Sequence, residues 1–441
     1  MSNKYIPHTE DDIQEMLKVS GVHTIDDLYQ DIPEQVILKK EYDIPSAMSE
    51  IEIRKFIGGL SEKNKICSIF TGAGAYDHYS PSVINQIISR SEFLTAYTPY
   101  QAEISQGTLQ YIFEFQSMMS ELTGMPCCNA SMYDGPTACA ESMMMCVAAA
   151  KKKNKVLYAA TLPVHVRRVL TTYAKFHGVE LVEIPETEGV TDKSVMDSLL
   201  SVGDVAGVIV SQPNTYGIIE DFTGYAETIH AQKAIFVMYT DPSALAVLKT
   251  PGEWDADVAC GDGQSLGIPL SYGGSYVGFM GSTKALERKL PGRIVGATHD
   301  IEGKRAYVLT LQAREQHIRR EKANSNICSN QSLMALYVTI YMSLMGPKGL
   351  KEVNELSYSN SHYVCDELCK TGHFSLVYKQ PFLKEFLVKT DLPVEKLQKT
   401  LLENGIFGGI ELRPGELLFC VTENRTQGEI DQLLNVIKSM L

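Results

Sequence analysis

The sequence predicts an α/β protein: a large domain on a mostly parallel sheet, followed by a small C-terminal α+β domain. Three observations predict it. Strands and helices alternate strictly after Lys155, the alternation resumes on a smaller scale in the last hundred or so residues, and the composition is that of a globular chain. At 44 % hydrophobic and 21 % charged, 441 residues make neither a disordered nor a fibrous protein. That length allows one to three folding units. No repeat, low-complexity tract or flexible linker interrupts it.

The first 60 residues read as short helices. TEDDIQEMLKVSG has Thr9 as a cap, acids in the first turn, apolar Ile13, Met16 and Leu17, and Gly21 as a stop. A second acid-rich start follows from Pro45. Between Glu103 and Thr123, Leu109, Ile112, Phe115, Met119 and Leu122 recur at helical spacing, and Gly124 closes the run. A further apolar helix is expected from Thr137 to Ala150. Then VLYAAT (156–161), VELVEIP (179–185), VAGVIVSQP (205–213) and KAIFVMY (233–239) read as strands, with helices at 163–178, 191–201 and 222–232 between them. Continuous apolar strands separated by helices mean a parallel sheet covered on both faces. Ligands of such sheets sit beyond the carboxyl ends of the strands, which singles out Ser211–Asn214 and Thr240–Ser243. Past position 300, AYVLTLQAREQHIRREKA reads as one long helix carrying Arg314, Arg319, Arg320 and Lys322. The tail gives strands at 374–379, 385–390 and 416–421 and helices at 393–405 and 426–440. Domain boundaries are therefore expected at 1–60, 61–335 and 336–441.

Charge and cysteine content exclude several functions. Acidic residues outnumber basic ones, 53 to 40, and the net charge of −13 lacks the basic footprint that nucleic acid or anionic lipid requires. Ten cysteines contain no CxxC pair, so neither a zinc ribbon nor a redox couple is written, and reduced structural thiols are expected. The N-terminal MSNKYIPHTEDDIQEM has no apolar signal core, and a cytoplasmic location is expected. The ten histidines are scattered, with no i,i+4 pair, and no metal site is expected. There is no GxxxxGK[ST], HExxH or GxSxG, and Gly72-Ala73-Gly74 lacks the third glycine of a dinucleotide fingerprint.

Two polar segments remain. FLTAYTPYQAEISQG (93–107) crowds Tyr97, Thr98, Tyr100, Gln101 and Glu103 ahead of a helix, which suits either a wet ligand pocket or a capping loop. NASMYDGPTACAES (129–142) feeds Ser131, Asp134, Gly135 and Thr137 into a helix start, as an anion site or as an ordinary N-cap.

These two segments, with FTGAGAYDHYSPSVINQI (70–87) and LQAREQHIRREKANSNICSNQSL (311–333), closely resemble the P-protein family of the glycine cleavage system. The resemblance runs over nearly the whole chain. It implies the aspartate-aminotransferase-like fold, type I among pyridoxal-phosphate-dependent transferases. It further implies decarboxylation of glycine on the pyridoxal phosphate ring, an electron sink for the carbanion left by CO2 loss. The aminomethyl group then passes to the lipoyl arm of H-protein. The family occurs as one long polypeptide with two homologous halves or as separate alpha and beta subunits, and 441 residues correspond to the N-terminal half or the alpha subunit.

In the family's catalytic half a lysine holds the cofactor as a Schiff base, in a pattern like His-Lys-Thr-Phe, then Pro-His and a glycine run. Here the corresponding residues are Gly263-Gln264-Ser265-Leu266, Pro269-Leu270 and Gly273-Gly274, and Gln264 replaces the lysine. An amide nitrogen, its lone pair delocalised into the carbonyl, forms no imine. Lys249 and Lys284 are the nearest other lysines. Asp241 resembles the partner of the cofactor's ring nitrogen, left vestigial. The resemblance thus implies a subunit without covalent cofactor, paired with a homologous beta subunit that carries pyridoxal phosphate. It also implies that Tyr97, Thr98, Tyr100, Gln101, Ser131, Tyr133, Asp134 and Thr137 line the active site at the subunit interface. The alternative is a non-catalytic scaffolding or regulatory homologue.

Overall fold

The structure, a computed structural model, describes residues 5–150, 152–314, 316–323, 327 and 329–441. It divides into two compact units, Met1–Lys65 and Ile66–Leu441. In the first, α1 (Glu10–Ser20) and α2 (Glu50–Ser61) both begin with a reciprocal capping box, Thr9 with Asp12 and Ser49 with Glu52. Gly21 ends α1 at φ 74°, as its spacing predicts. The second helix starts at Ser49 rather than Pro45, because the hydroxyl–carboxylate pair that satisfies its free amides sits there.

In the second unit, β1 (Ser68–Phe70) leads to α3 (Gln106–Thr123), β2 (Cys127–Cys128) and α4 (Gly135–Ala149). The alternation read from the sequence then follows as β3 (Lys155–Ala159), α5 (Val164–His177), β4 (Glu180–Ile184), α6 (Lys193–Leu200), β5 (Val205–Gln212), α7 (Tyr225–Ala231) and β6 (Ile235–Thr240). Three strands that the sequence reading missed, β2, β7 (Val258–Asp262) and β8 (Gly278–Ser282), complete a seven-stranded sheet in the order β2-β8-β7-β6-β5-β3-β4. Only β8 runs against the others. Every residue of β5 is buried, as a strand covered on both faces requires.

Among the described residues, the long helix expected over 306–323 does not form. Its first residues make β10 (Arg305–Thr310), paired antiparallel with β9 (Ile294–His299). Tyr307 and Leu309 alternate inward onto α3 beside Leu109 and Ile112, a period of two that outweighs the helical reading. Only short helical turns follow, at Gln312–Arg314, Gln316–Arg319 and Arg320–Lys322. Leu311 and Arg320, at φ 53° and 55°, interrupt any continuous helix. The side chain of Arg314, and Cys328 with its expected reduced thiol, lie outside the described residues. The nine described cysteines are free thiols.

The helix α8 (Ser332–Lys370) links the domains and breaks at Gly346-Pro347, where the glycine has φ 60° and the proline has no N–H to donate. Before the break Tyr337, Val338, Tyr341 and Met342 pack on the large-domain core. After it Val364, Cys365 and Leu368 pack on the small domain. That domain is a four-stranded antiparallel sheet of β11 (Phe374–Leu376), β12 (Glu385–Thr390), β14 (Ile410–Arg413) and β15 (Glu416–Cys420), with α9 (Val394–Glu403) and α10 (Gln427–Lys438). Its remaining strand, β13 (Ile406–Gly408), pairs in parallel with β1. Ser68–Phe70 therefore packs with the C-terminal domain, and Phe70 is part of that domain's core.

Candidate functional site

The carboxyl ends of β5, β6 and β7 meet the small domain in a cleft. Ser211, Asn214, Thr240, Asp241, Asp262 and Glu385 line a cavity there of about 30 Å³. Both loops singled out from the sequence supply residues to it. The space suffices for roughly one water molecule.

Gln264 sits immediately past the end of β7 and is buried. Its Oε1 accepts from the Tyr76 amide at 2.7 Å, and its Nε2 donates to the carbonyls of Tyr76 at 2.8 Å and Ile268 at 2.7 Å. Both ends of the side-chain amide are therefore engaged, as burial demands. The residue acts as a two-sided staple that fixes the Ala73–Tyr79 segment against the sheet. Glu385 fixes the same segment from the small domain, accepting from the Ala73 amide at 2.6 Å and the Tyr76 hydroxyl at 2.8 Å. Burial raises the Glu385 carboxyl above its ordinary value.

Asp241 follows β6 and meets a cation. The Lys384 ammonium lies 2.7 Å from its Oδ2, with both side chains buried. Burial opposes the carboxylate charge, but the ammonium outweighs it and holds Asp241 below its ordinary value. The same Nζ lies 2.9 Å from His78 Nε2 and 3.8 Å from the centre of the Tyr76 ring. His78 Nδ1 in turn lies 2.6 Å from Glu423, which also accepts from the Tyr79 amide at 2.8 Å. Burial raises the Glu423 carboxyl, and the hydrogen bond with His78, joined by the Tyr79 amide, offsets it, leaving the group below its ordinary value.

At the start of α4 the free helix amides are already taken. Asp134 is the N-cap, accepting from the Thr137 amide at 2.7 Å, and the Thr137 hydroxyl returns to the Asp134 carboxylate at 2.6 Å. Asp262 reaches across to accept from the Gly135 amide at 2.9 Å, and its other oxygen accepts from Gln264 N at 2.9 Å. Burial, with Asp134 adding to it, raises Asp262 to about 7.

The eight residues proposed to line an interface pocket fall into three groups. Tyr97, Tyr100 and Gln101 are exposed on the loop before α3 and Thr98 is half-buried beside them; the Tyr100 ring lies 5.4 Å from the Arg293 guanidinium. Tyr133 is exposed. Ser131 is fully buried, its hydroxyl without a hydrogen-bond partner, while Asp134 and Thr137 cap α4. None of the eight lines the cleft cavity. Lys384, Glu385, His78, Glu423 and Asp262 escaped the sequence reading. Tyr76-Asp77-His78 lies inside one of the resembling blocks, but nothing in the sequence joins it to Lys384, more than 300 residues on. Lys249 stacks on Trp254, 3.7 Å from the ring centre, and Lys284 is exposed.

The residues of this cleft do not fit pyridoxal phosphate. An amide engaged at both ends stands where the resemblance puts the lysine. The carboxylate that the resemblance assigns to the ring nitrogen is paired with Lys384, two carboxylates occupy the helix amides that a phosphate would need, and about 30 Å³ remains. Asp241 is accordingly engaged within the protein.

Comparison with known proteins agrees with the overall topology. The probable glycine dehydrogenase (decarboxylating) subunit 1 of Desulforamulus reducens is 48 % identical over 441 residues, covering 98 % of each chain. That of Carboxydothermus hydrogenoformans is 48 % identical over 443 residues, covering 98 % of this chain and 99 % of its own. A crystal structure of glycine decarboxylase (P-protein) in inhibitor-bound form superposes with a TM-score of 0.92 at 38 % identity, covering all of both chains. Glutamate decarboxylase of Lactobacillus brevis, at 14 % identity and a TM-score of 0.69 over 92 % of this chain and 96 % of that one, shares the type I fold of the pyridoxal-phosphate-dependent enzymes. Residues 3–437 match the glycine cleavage system P-protein family, and with relatives this similar over nearly its whole length, the chain belongs to that family.

Proposed function

We propose that this chain is the alpha subunit, subunit 1, of a two-subunit glycine dehydrogenase (decarboxylating), and that it works without a cofactor of its own. The homologous beta subunit, subunit 2, carries pyridoxal phosphate on its lysine. There glycine loses CO2, and the remaining aminomethyl carbon bonds to one sulfur of the oxidised lipoyl disulfide of H-protein while the other sulfur leaves as a thiol. This chain supplies the interface, with Tyr97, Thr98, Tyr100, Gln101, Ser131, Tyr133, Asp134 and Thr137 toward the partner's pocket. It acts in the cytoplasm. The observation that carries the reading is the engagement of the buried Gln264 amide at both ends, at the position the resemblance assigns to the Schiff-base lysine. The exposure of Tyr97 and Tyr100 leaves them available to a partner.

The test has two arms. The purified chain, mixed with pyridoxal phosphate and reduced with borohydride, is expected to yield no specifically labelled lysine; stoichiometric labelling of one lysine overturns the reading. Co-expressed with its lysine-bearing homologue, it is expected to form a complex that exchanges the glycine carboxyl with bicarbonate, while neither subunit alone does so. Full exchange by the beta subunit alone would leave this chain a scaffold.

A further inference from the structure

The charged groups behind the cleft form one connected chain between its two domains. An ammonium group has three protons and no acceptor. The Lys384 ammonium has three close neighbours: it is ion-paired with Asp241 Oδ2 at 2.7 Å, lies 2.9 Å from His78 Nε2, and sits 3.8 Å from the centre of the Tyr76 ring. This arrangement fixes the histidine. Nε2 accepts from the ammonium, so the ring proton is on Nδ1 and is donated to Glu423 at 2.6 Å. The partners come from three separate parts of the fold. Asp241 ends a strand of the large sheet, Tyr76 and His78 lie on the segment that Gln264 staples, and Lys384 and Glu423 flank β12 and β15 of the small domain. Beside them Arg425 binds Asp77 at 2.5 Å, and the Thr422 hydroxyl donates to the Asp77 carbonyl at 2.7 Å.

We infer that Lys384 is the resident occupant of this cleft: its ammonium group takes the Asp241 carboxylate that would otherwise await a ligand's cationic nitrogen, and through Asp241 and His78 it clamps the small domain shut over the sheet in the absence of any ligand. Lys384 is thus a positioning residue. It touches no substrate; it holds the 73–79 segment between the domains, and with it the exposed Tyr79 that ends that segment. The inference rests on the reading that this chain holds no cofactor and adds what holds the cleft in its place.

Removing one partner of a buried ion pair strands the other charge, whereas removing both leaves none stranded. Lys384→Met in the full chain is therefore expected to speed hydrogen exchange of the amides at 73–79 by about tenfold or more. The double replacement Asp241→Asn with Lys384→Met is expected to return it to within about threefold of the parent. A side chain that merely filled space would show no such recovery. Reductive methylation of the unaltered chain needs no variant to fold: Lys384 is expected to stay unmodified while the exposed Lys351 is fully modified. Modification of Lys384 at the rate of Lys351, or a double variant no better protected than the single, overturns the clamp. Borohydride labelling of a lysine with pyridoxal phosphate would instead overturn the cofactor-free reading, so the two failures are told apart.

Discussion

Gln264→Met tests the staple with little change in volume. Methionine fills the space of glutamine but neither donates nor accepts, so the replacement removes three hydrogen bonds at once: from the Tyr76 amide, to the Tyr76 carbonyl and to the Ile268 carbonyl. A bond between neutral groups contributes about 1 kcal/mol net, and a buried donor left without a partner costs about 1–3 kcal/mol. Because the site has no access to bulk water, the Tyr76 N–H stays unpaired. The near-equal volume adds little cavity cost. The expected loss is about 3–5 kcal/mol, read as a lowered urea midpoint in the full chain with an unchanged slope. Exchange at the Tyr76 amide should speed with it, since that group loses its acceptor directly. A loss below about 1 kcal/mol, with the Tyr76 amide still protected, would refute the staple and the energetics drawn from it.

Gln264→Lys, though it places an amine where the resemblance puts the Schiff-base lysine, is expected to trap no pyridoxal phosphate under borohydride, because Asp241, Asp134 and Asp262 remain engaged. A labelled lysine at 264 would contradict this. Asp262, raised to about 7 by burial, binds a proton more tightly folded than unfolded. Its contribution is therefore fully present below the ordinary aspartate range and is lost as pH rises through about 7. Asp262→Asn should flatten the stability decline between about pH 4 and 8, by a few kcal/mol at most, in urea titrations across that range. A Cβ on Gly217, at φ 80°, would overlap the Glu385 backbone. Gly217→Ala is expected to destabilise the chain by more than about 2 kcal/mol, a lowered urea midpoint again being the readout. In the two-subunit complex, Tyr97→Phe and Ser131→Ala should lower glycine–bicarbonate exchange about tenfold at intact assembly; unchanged exchange would favour the scaffold.

The sequence makes the large domain legible where periodicity is strong. The run from β3 to β6 is placed within three residues at every end, since continuous apolar strands leave no other reading. The hairpin of β9 and β10 is lost because AYVLTL satisfies a helical and an alternating pattern equally, and only contact with α3 decides between them. β7 and β8 are short, and glycines at 261, 278 and 281 dilute the strand signal. The site was half legible. Gln264 and Asp241 stand out because a resemblance says what belongs there. Lys384 and Glu423 do not, since a lysine beside a strand and a glutamate in a turn read as surface residues until the fold buries them. Asp134 and Thr137 took the plainer of their two readings.

The pairing of β1 with β13 sets an order of events at the ribosome. Ser68–Phe70 emerges early, but the strand it joins is about 340 residues further along. At ordinary synthesis rates of 5–20 residues per second, roughly 20–70 s separate the two. Before that interval ends the large sheet from β2 to β8 has all its strands and is free to assemble, while β1 still presents an open edge without its partner. A chaperone that holds nascent chains would find its target there, in a strand that waits for nearly the whole of translation.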